Sequence, residues 1–354
     1  MVLLSKLSQE TLDWLREVDE VSLDTETVSL EDLTILGFSF AGMRDGNRKI
    51  QGYYVPMRHS KVENMAFEDS IRLLEEILRR KSVIFHNYSF DSRVLAKMNL
   101  KVSHVPHDTL ILANLWDENI QHGLKPLVKR YFSHSMPTYT EVCGKGKNRI
   151  EFKDAEPKVI DDYGTGDAVW TFILFRYLYS RIEKNPDLLR LYKDIEQPLM
   201  EVVYDMELRG FRVDFERVEE IASLCKIERD KFQKKVFDKM GKELNLNSSQ
   251  QLKGYFVDTL ELPVLKVSKI TKAPSMDKEV LERYAETNEE AGWILKYRNY
   301  QKMISTFVPA LTPKGGNRIY ALFNQSGTVS GRFSSSKPNM QNIPREDEMG
   351  IKKV

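Results

Sequence analysis

Two carboxylates stand one residue apart in the stretch Val21-Ser22-Leu23-Asp24-Thr25-Glu26-Thr27. Val21 and Leu23 alternate with polar residues, the period-2 pattern of a half-buried strand. Residues i and i+2 of a strand share a face, so Asp24 and Glu26 project together, opposite Leu23. Carboxylates held that close repel each other, and burying them is costly. A hard divalent cation such as Mg²⁺ or Mn²⁺ relieves both penalties through oxygen ligands. The same pair is also compatible with a strand end whose two acids are simply solvated.

Two other stretches carry groups of the same kind. In His86-Asn87-Tyr88-Ser89-Phe90-Asp91, directly after the apolar run Val83-Ile84-Phe85, Asn87 marks a helix start and Asp91 falls one turn in. An acid there also suits the helix N-terminus without any further role. His86 reads as a satisfied polar residue. In Tyr163-Gly164-Thr165-Gly166-Asp167, within the helical stretch 160–179, the i, i+4 spacing makes Tyr163 and Asp167 neighbours. Glycine inside a helix costs roughly 1 kcal/mol relative to alanine. Gly164 and Gly166 therefore imply either a close approach or a local irregularity. Gly144-Lys145-Gly146-Lys147-Asn148 is a basic loop but not a phosphate cradle, because no Ser or Thr follows a Gly-Lys pair at the needed spacing.

The surrounding elements suggest how these groups are carried. A helix with Ser8 as N-cap runs to Val18. Residues 33–41 and 52–57 read as strands joined through a turn at Asp45-Gly46-Asn47, forming an antiparallel meander with the Asp24 strand. Residues 67–80 form an amphipathic helix with Ile71, Leu74 and Leu78 inward. Residues 83–85 are a short buried strand, and 108–131 is helical with a break near Gly123. The order is mixed α/β.

The second half is mainly helical. Asn185-Pro186-Asp187 punctuates the chain, a helix follows to Arg209 and Gly210, and Asp214 starts a long charged helix to about Met240. Basic residues exceed acidic ones between Lys226 and Lys242, which is either a phosphate-facing stripe or a solvated face. Further helices are expected at 247–252, 276–284 and 291–307, the last placing Arg298 and Lys302 on one face. Residues 319–323 read as a strand. The run Ser330-Gly331-Arg332-Phe333-Ser334-Ser335-Ser336-Lys337-Pro338-Asn339-Met340-Gln341-Asn342-Ile343-Pro344 is rich in hydroxyl and amide groups, which suit sugar, phosphate and minor-groove contacts.

The 354 residues suit two or three domains. The net charge of +1 announces no global affinity for nucleic acid, so such a site must come from local clustering. Two distant cysteines, Cys143 and Cys225, argue against a disulfide framework and for a reducing compartment. No secretory signal and no membrane-length apolar run is expected.

Asp24 and Glu26 on a strand, Asp91 at a helix start, and Tyr163 with Asp167 on a late helix, in that order, resemble the 3′-5′ exonuclease family that has a tyrosine in its third motif. The resemblance spans residues 1–184 and implies a ribonuclease-H-like fold, a mixed sheet flanked by helices. It also implies two Mg²⁺ or Mn²⁺ ions. Asp24, Glu26 and Asp167 would hold the tighter one and Asp24 with Asp91 the second, with Tyr163 orienting the attacking water. By the same resemblance Leu30 is a wedge against the terminal base, Phe90 and Tyr139 contact bases, and Asn87 is a polar contact beside them. Plain core packing is the alternative for Leu30 and Phe90.

The Ser330–Pro344 run, with Glu196-Gln197-Pro198-Leu199 and Arg209-Gly210-Phe211-Arg212-Val213-Asp214, resembles family-A DNA polymerases. This implies a helical linker and thumb over 185–310 and the start of a palm over 311–354. Arg298 and Lys302 would contact the duplex backbone; Arg332, Asn339 and Gln341 would contact the primer–template minor groove. No counterpart of the family's palm acids and nucleotide-binding lysine is expected in these residues, and no 5′-nuclease domain is expected in front. The expected function is proofreading removal of nucleoside monophosphates from DNA 3′ ends in the cytoplasm of a bacterium or phage-infected cell. A second polypeptide carrying the remaining palm and fingers would dock on an apolar, unpaired edge at Ile319, Leu322 and Phe323. The alternative is the DNA-gripping half of a two-piece polymerase with a weak or silent nuclease.

Overall fold

The computed structural model describes residues 2–44, 49–80, 82–269, 272–312 and 315–343. The expected turn at Asp45-Gly46-Asn47 and the stretch from Pro344 onward lie outside them. The chain forms two compact units, Met1–Arg209 with Phe323–Ser334, and Gly210–Leu322 with Ser335–Val354. Sequence punctuation divides the chain instead at 184 and 310. The difference arises because the helices after Asn185 bury Tyr192, Met200 and Tyr204 in the first unit's core.

The first unit is built on six strands: β1 (Val2–Leu3), β2 (Glu20–Thr27), β3 (Ile35–Met43), β4 (Ile50–Pro56), β5 (Ser82–Phe85) and β6 (His107–Asp108). Their order across the sheet is β1-β4-β3-β2-β5-β6. β3 is antiparallel to β2 and β4, as the meander requires, while β5 runs parallel to β2 and β6 parallel to β5. The helices are α1 (Gln9–Arg16), α2 (Phe67–Leu78), α3 (Tyr88–Lys97), α4 (Thr109–Trp116), α5 (Leu124–Phe132), α6 (Tyr139–Cys143), α7 (Pro157–Ile160), α8 (Gly166–Ile182), α9 (Pro186–Leu191) and α10 (Gln197–Arg209). This is the mixed sheet flanked by helices expected of a ribonuclease-H-like fold.

Local chemistry sets the element boundaries. Ser8 accepts a hydrogen bond from the Thr11 amide at 3.1 Å and caps α1. Gly123 is the N-cap of α5, and α4 ends before it at the C-cap Asp117. Leu23, Phe38, Phe40, Leu74, Phe85 and Phe172 form the centre of the core. Each such side chain contributes roughly 1.5–3 kcal/mol by leaving water. Ser22 donates to the carbonyls of Ala41 and Ala168, tying α8 directly onto the face of β2 that also carries Asp24 and Glu26.

The second unit joins a two-stranded antiparallel sheet of β7 (Phe211–Arg212) and β8 (Arg318–Ile319) to the helices α11 (Phe215–Met240), α12 (Ser249–Lys253), α13 (Lys278–Tyr284) and α14 (Glu289–Lys302). Asp214 caps α11 by accepting from the Arg217 amide, and Gly241 closes it in the left-handed region. α11 serves two cores, one with Val218, Ile221 and Ile319, the other with Val236, Phe256 and Ile294. The apolar, unpaired edge expected at Ile319, Leu322 and Phe323 is not observed at Ile319. Ile319 is 4% exposed and pairs with Phe211, because β7 supplies the partner strand and the α11 core covers the side chain.

Candidate active site

β2 delivers Asp24 and Glu26 half-buried on the face next to α8, where Asp167 completes a group of three carboxylates. One oxygen from each lies within 4.8 Å of the others. Asp91 stands apart from this trio. Its Oδ1 accepts from the Thr25 amide at 2.9 Å and the Thr25 hydroxyl at 2.6 Å, which locks α3 to β2. The start of α3 is fixed by the buried Asp108, which accepts from the amides of Asn87 and Tyr88. Asn87 adopts a left-handed backbone, φ 75°, which its short side chain tolerates. His86 is satisfied by Thr109 at 2.8 Å.

The approach to Tyr163 and Asp167 contains both features that the glycines left open. Asp161–Thr165 is a wide π-type turn between α7 and α8, the irregularity. A Cβ at Gly164 would lie 2.3 Å from the Tyr54 ring, the close approach, whereas one at Gly166 would meet nothing within 4 Å.

Asp24, Glu26, Leu30, Asn87, Phe90, Asp91, Tyr139, Tyr163 and Asp167 all line one cavity of ≈ 550 Å³, together with Arg149. Leu30 is 68% exposed, so it packs in no core. Phe90 does both, lying against the core while facing the cavity. The Arg149 guanidinium lies 5.6 Å from the Tyr139 ring.

Burial and crowding raise the pKa of every acid in the cluster. Asp24 is raised well above the usual carboxylate range, first by burial and then by Asp91, Glu26 and Asp167. Glu26 is pushed up to about 8 by burial and next by Asp167. Asp91 rises to about 7 through burial, opposed by its Thr25 hydrogen bonds, and Asp167 to about 6 through burial. The Asp24 Oδ2 is buried with no hydrogen-bond partner. An orphaned oxygen inside a hard-oxygen trio fits a divalent cation, since Mg²⁺ and Mn²⁺ take such ligands.

These shifts set a pH dependence for the protein without ions. A carboxyl whose folded pKa is raised stabilises the fold at low pH and loses that contribution as pH rises through the folded pKa. His59, His86 and His107, each depressed to about 4 mainly by burial, act in the opposite sense below their ordinary value of 6.5. Between pH 6.5 and 8 the carboxylates dominate. In chelator the melting temperature should fall across that window by about 4 °C, and Asp24→Asn should flatten the fall. Calorimetry at fixed ionic strength measures it; an equally steep fall in the variant would disconnect it from the cluster.

Residues 1–183 match the family model described as "3'-5' exonuclease". The chain belongs to the 3′-5′ exonuclease family. Residues 215–353 are similar to a second family, matching the model "DNA polymerase family A". DNA polymerase I of Chloroflexus aurantiacus is 31% identical over 95% of this chain and 36% of its own length. DNA polymerase I of Pseudomonas aeruginosa is 31% identical over 94% of this chain and 38% of its own. The chain thus spans little more than a third of the curated relatives it matches. A solved structure titled "POL domain of Pol1 from M. smegmatis complex with DNA primer-template and dNTP" aligns with TM-score 0.76 and 19% identity, covering 99% of this chain and 57% of that one, which supports the fold. Exonuclease domains of this kind generally depend on divalent metal. Among the described residues no helix is long and apolar enough to cross a membrane.

The remaining candidates of this exonuclease-family chain are placed as follows. Arg298 is half-buried and donates to the carbonyls of Leu246 at 2.9 Å and Met276 at 2.6 Å, so it braces the second unit's loops. The Lys302 ammonium is 5.6 Å from the Phe307 ring. Arg332 and Gln341 are exposed, and Asn339 accepts from the Gln341 amide at 3.0 Å.

Sequence reasoning missed Lys125, Arg149 and Thr25. Lys125 lies in a helix whose pattern marks nothing unusual, and Arg149 directly follows the basic loop Gly144–Asn148, which sequence reasoning marks only as failing the phosphate-cradle spacing. Thr25, between the two acids, was adjacent to the strongest signal.

Proposed function

We propose that the first unit is a divalent-metal-dependent 3′-5′ exonuclease that proofreads DNA, using two Mg²⁺ or Mn²⁺ ions. The carrying observation is the convergence of Asp24, Glu26 and Asp167, with an unpartnered Asp24 oxygen, in a cavity whose wall also bears Leu30, Phe90 and Tyr139. Asp24, Glu26 and Asp167 would hold one ion and Asp24 with Asp91 the other. Bound there, the ions would supply positive charge to the attacking and leaving oxygens of a phosphodiester. Burial and the nearby carboxylates keep the Tyr163 hydroxyl neutral. It therefore orients water as a hydrogen-bonding group rather than as a phenolate. Phe90 and Tyr139 offer π-faces that stack on any base, and Leu30 wedges the terminal one. Positioning and charge stabilisation provide the rate. Water adds to phosphorus, the bridging 3′ oxygen leaves, and a nucleoside 5′-monophosphate is released.

The test is incubation with 3′-labelled single-stranded DNA and Mg²⁺. Chelator-sensitive release of labelled mononucleotide is expected; release unaffected by chelator, or oligonucleotide products, would overturn the reading. A cavity that stacks unpaired bases also predicts a preference. Melting a matched terminus costs a few kcal/mol, less for a mismatch. Mismatched 3′ ends should therefore be cut roughly ten-fold faster than matched ones, and equal rates would count against proofreading.

Template-directed synthesis needs palm carboxylates for two ions and a cation at the triphosphate. Of residues 311–354, Glu346, Asp347 and Glu348 are the acids, in a polar run outside the described residues. We infer that residues 1–354 alone do not extend a primer. Synthesis on primer–template DNA would draw on palm and fingers residues outside 1–354, and a second polypeptide is one way to supply them. The setting is the cytoplasm of a bacterial or phage-infected cell.

A further inference from the structure

Lys125 is a cation where helix physics disfavours one. It occupies the second position of α5, and a helix N-terminus carries partial positive charge. Its place is therefore not explained by helix stability. Its ammonium has three partners, one of them a member of the carboxylate trio. It donates to the Pro137 carbonyl at 2.7 Å, sits 4.0 Å from the Tyr163 ring centroid, and lies 3.9 Å from the Asp167 Oδ2. The side chain is 24% exposed. The Pro137 contact pins the ammonium from the connector after α5, so it cannot swing away without losing a charge-assisted hydrogen bond.

We propose that Lys125 is a positioning residue of the exonuclease site and its resident cation: one ammonium sets the Tyr163 ring against the Asp167 carboxylate and weakens the hold of the trio on a divalent ion. The inference rests on the exonuclease reading above. Two consequences follow from one charge, and they have opposite signs. A fixed positive charge beside the ligands repels an arriving divalent cation, so its removal tightens ion binding. A cation against an aromatic face holds that ring in place, so its removal loosens Tyr163 and slows hydrolysis. A side chain that merely stabilised the connector would, on removal, loosen the site and lower both quantities together.

Lys125→Met keeps the length and apolar stem of the side chain and removes the charge. Lys125→Arg keeps the charge. Mn²⁺ binding is titrated without DNA by the loss of the free-ion electron paramagnetic resonance signal, with Asp24→Asn as the control that should lose the ion. Turnover on 3′-labelled single-stranded DNA is measured at saturating Mn²⁺. Lys125→Met should bind Mn²⁺ roughly ten-fold more tightly and turn over roughly ten-fold more slowly, with KM for DNA changed less than about two-fold. Lys125→Arg should return Mn²⁺ affinity to the parental value. In a Tyr163→Phe background the Lys125→Met loss in turnover should shrink, since both act through one ring. Unchanged or weaker Mn²⁺ binding by Lys125→Met, or parental turnover, overturns the proposal while leaving the exonuclease reading standing. A parent protein that neither binds Mn²⁺ nor cuts DNA overturns both.

Discussion

Asp24→Asn should abolish 3′ hydrolysis, by roughly 10³-fold or more, while leaving the protein folded and, without ions, more stable. The size of the first effect follows from the position of Asp24. It is a member of the carboxylate trio and the residue the second ion would share with Asp91. Removing its charge therefore affects both ion positions, and charge stabilisation is usually the largest single contribution to such catalysis. The second effect has the opposite sign because the same carboxylate is a burden to the fold. It is crowded by Asp91, Glu26 and Asp167 and its Oδ2 is buried without a partner. A neutral amide removes the repulsion and supplies donors. Melting in chelator and mononucleotide release in Mg²⁺, measured on one preparation, separate the two. A variant that cuts at the parental rate removes Asp24 from the site; one that has lost activity because it no longer folds removes the repulsion argument.

The legible part of this molecule was the part governed by short-range periodicity. Asp24 and Glu26 share a face because strands have period two, and that needs only neighbouring residues. Asp91 followed from a helix start at Asn87, which the structure puts at the first turn of α3. The meander was readable because strand runs and short connections are local. What escaped depends on contacts between distant segments. Lys125 reaches the trio through the packing of α5, and nothing in Gly123-Leu124-Lys125-Pro126 signals a carboxylate beyond the helix. Thr25 was visible as the residue between two acids, but its grip on Asp91 requires β2 and α3 to meet. Spacing put Arg298 on one helix face with Lys302, but its hydrogen bonds to the carbonyls of Leu246 and Met276 depend on loops distant in sequence. The strand at Ile319 looked unpaired because its partner, Phe211, is more than a hundred residues away. The unit boundary shifted for the same reason, since helices after a Pro-marked break packed back onto the earlier core.

The glycine pair between Tyr163 and Asp167 tests how the site's spacing is maintained. Tyr54 is fully buried and its hydroxyl is held 2.8 Å from the His59 Nε2. On one side it abuts Gly37, where a Cβ would come within 2.4 Å of the hydroxyl; Gly37 is the register partner of Glu26. On the other side it abuts Gly164, where a Cβ would come within 2.3 Å of the ring. The ring is thus a spacer between the strand partner of one carboxylate and the turn carrying Tyr163, and it has no room to yield toward either glycine. Gly164→Ala must push α8 away or dislodge Tyr54 from its hydrogen bond. Overpacking of this kind costs about 1–3 kcal/mol, and a shift near 1 Å in the reacting groups costs roughly 10²-fold in rate. Gly166→Ala is the control two residues on. Nothing lies within 4 Å of its Cβ and its φ of −59° is ordinary helix. That substitution should leave turnover within about two-fold and raise stability by roughly 0.5–1 kcal/mol through the unfolded chain. Melting curves and turnover for the two variants decide the matter. If Gly164→Ala melts and cuts like the parent, the Tyr54 ring does not set the distance between Glu26 and Tyr163.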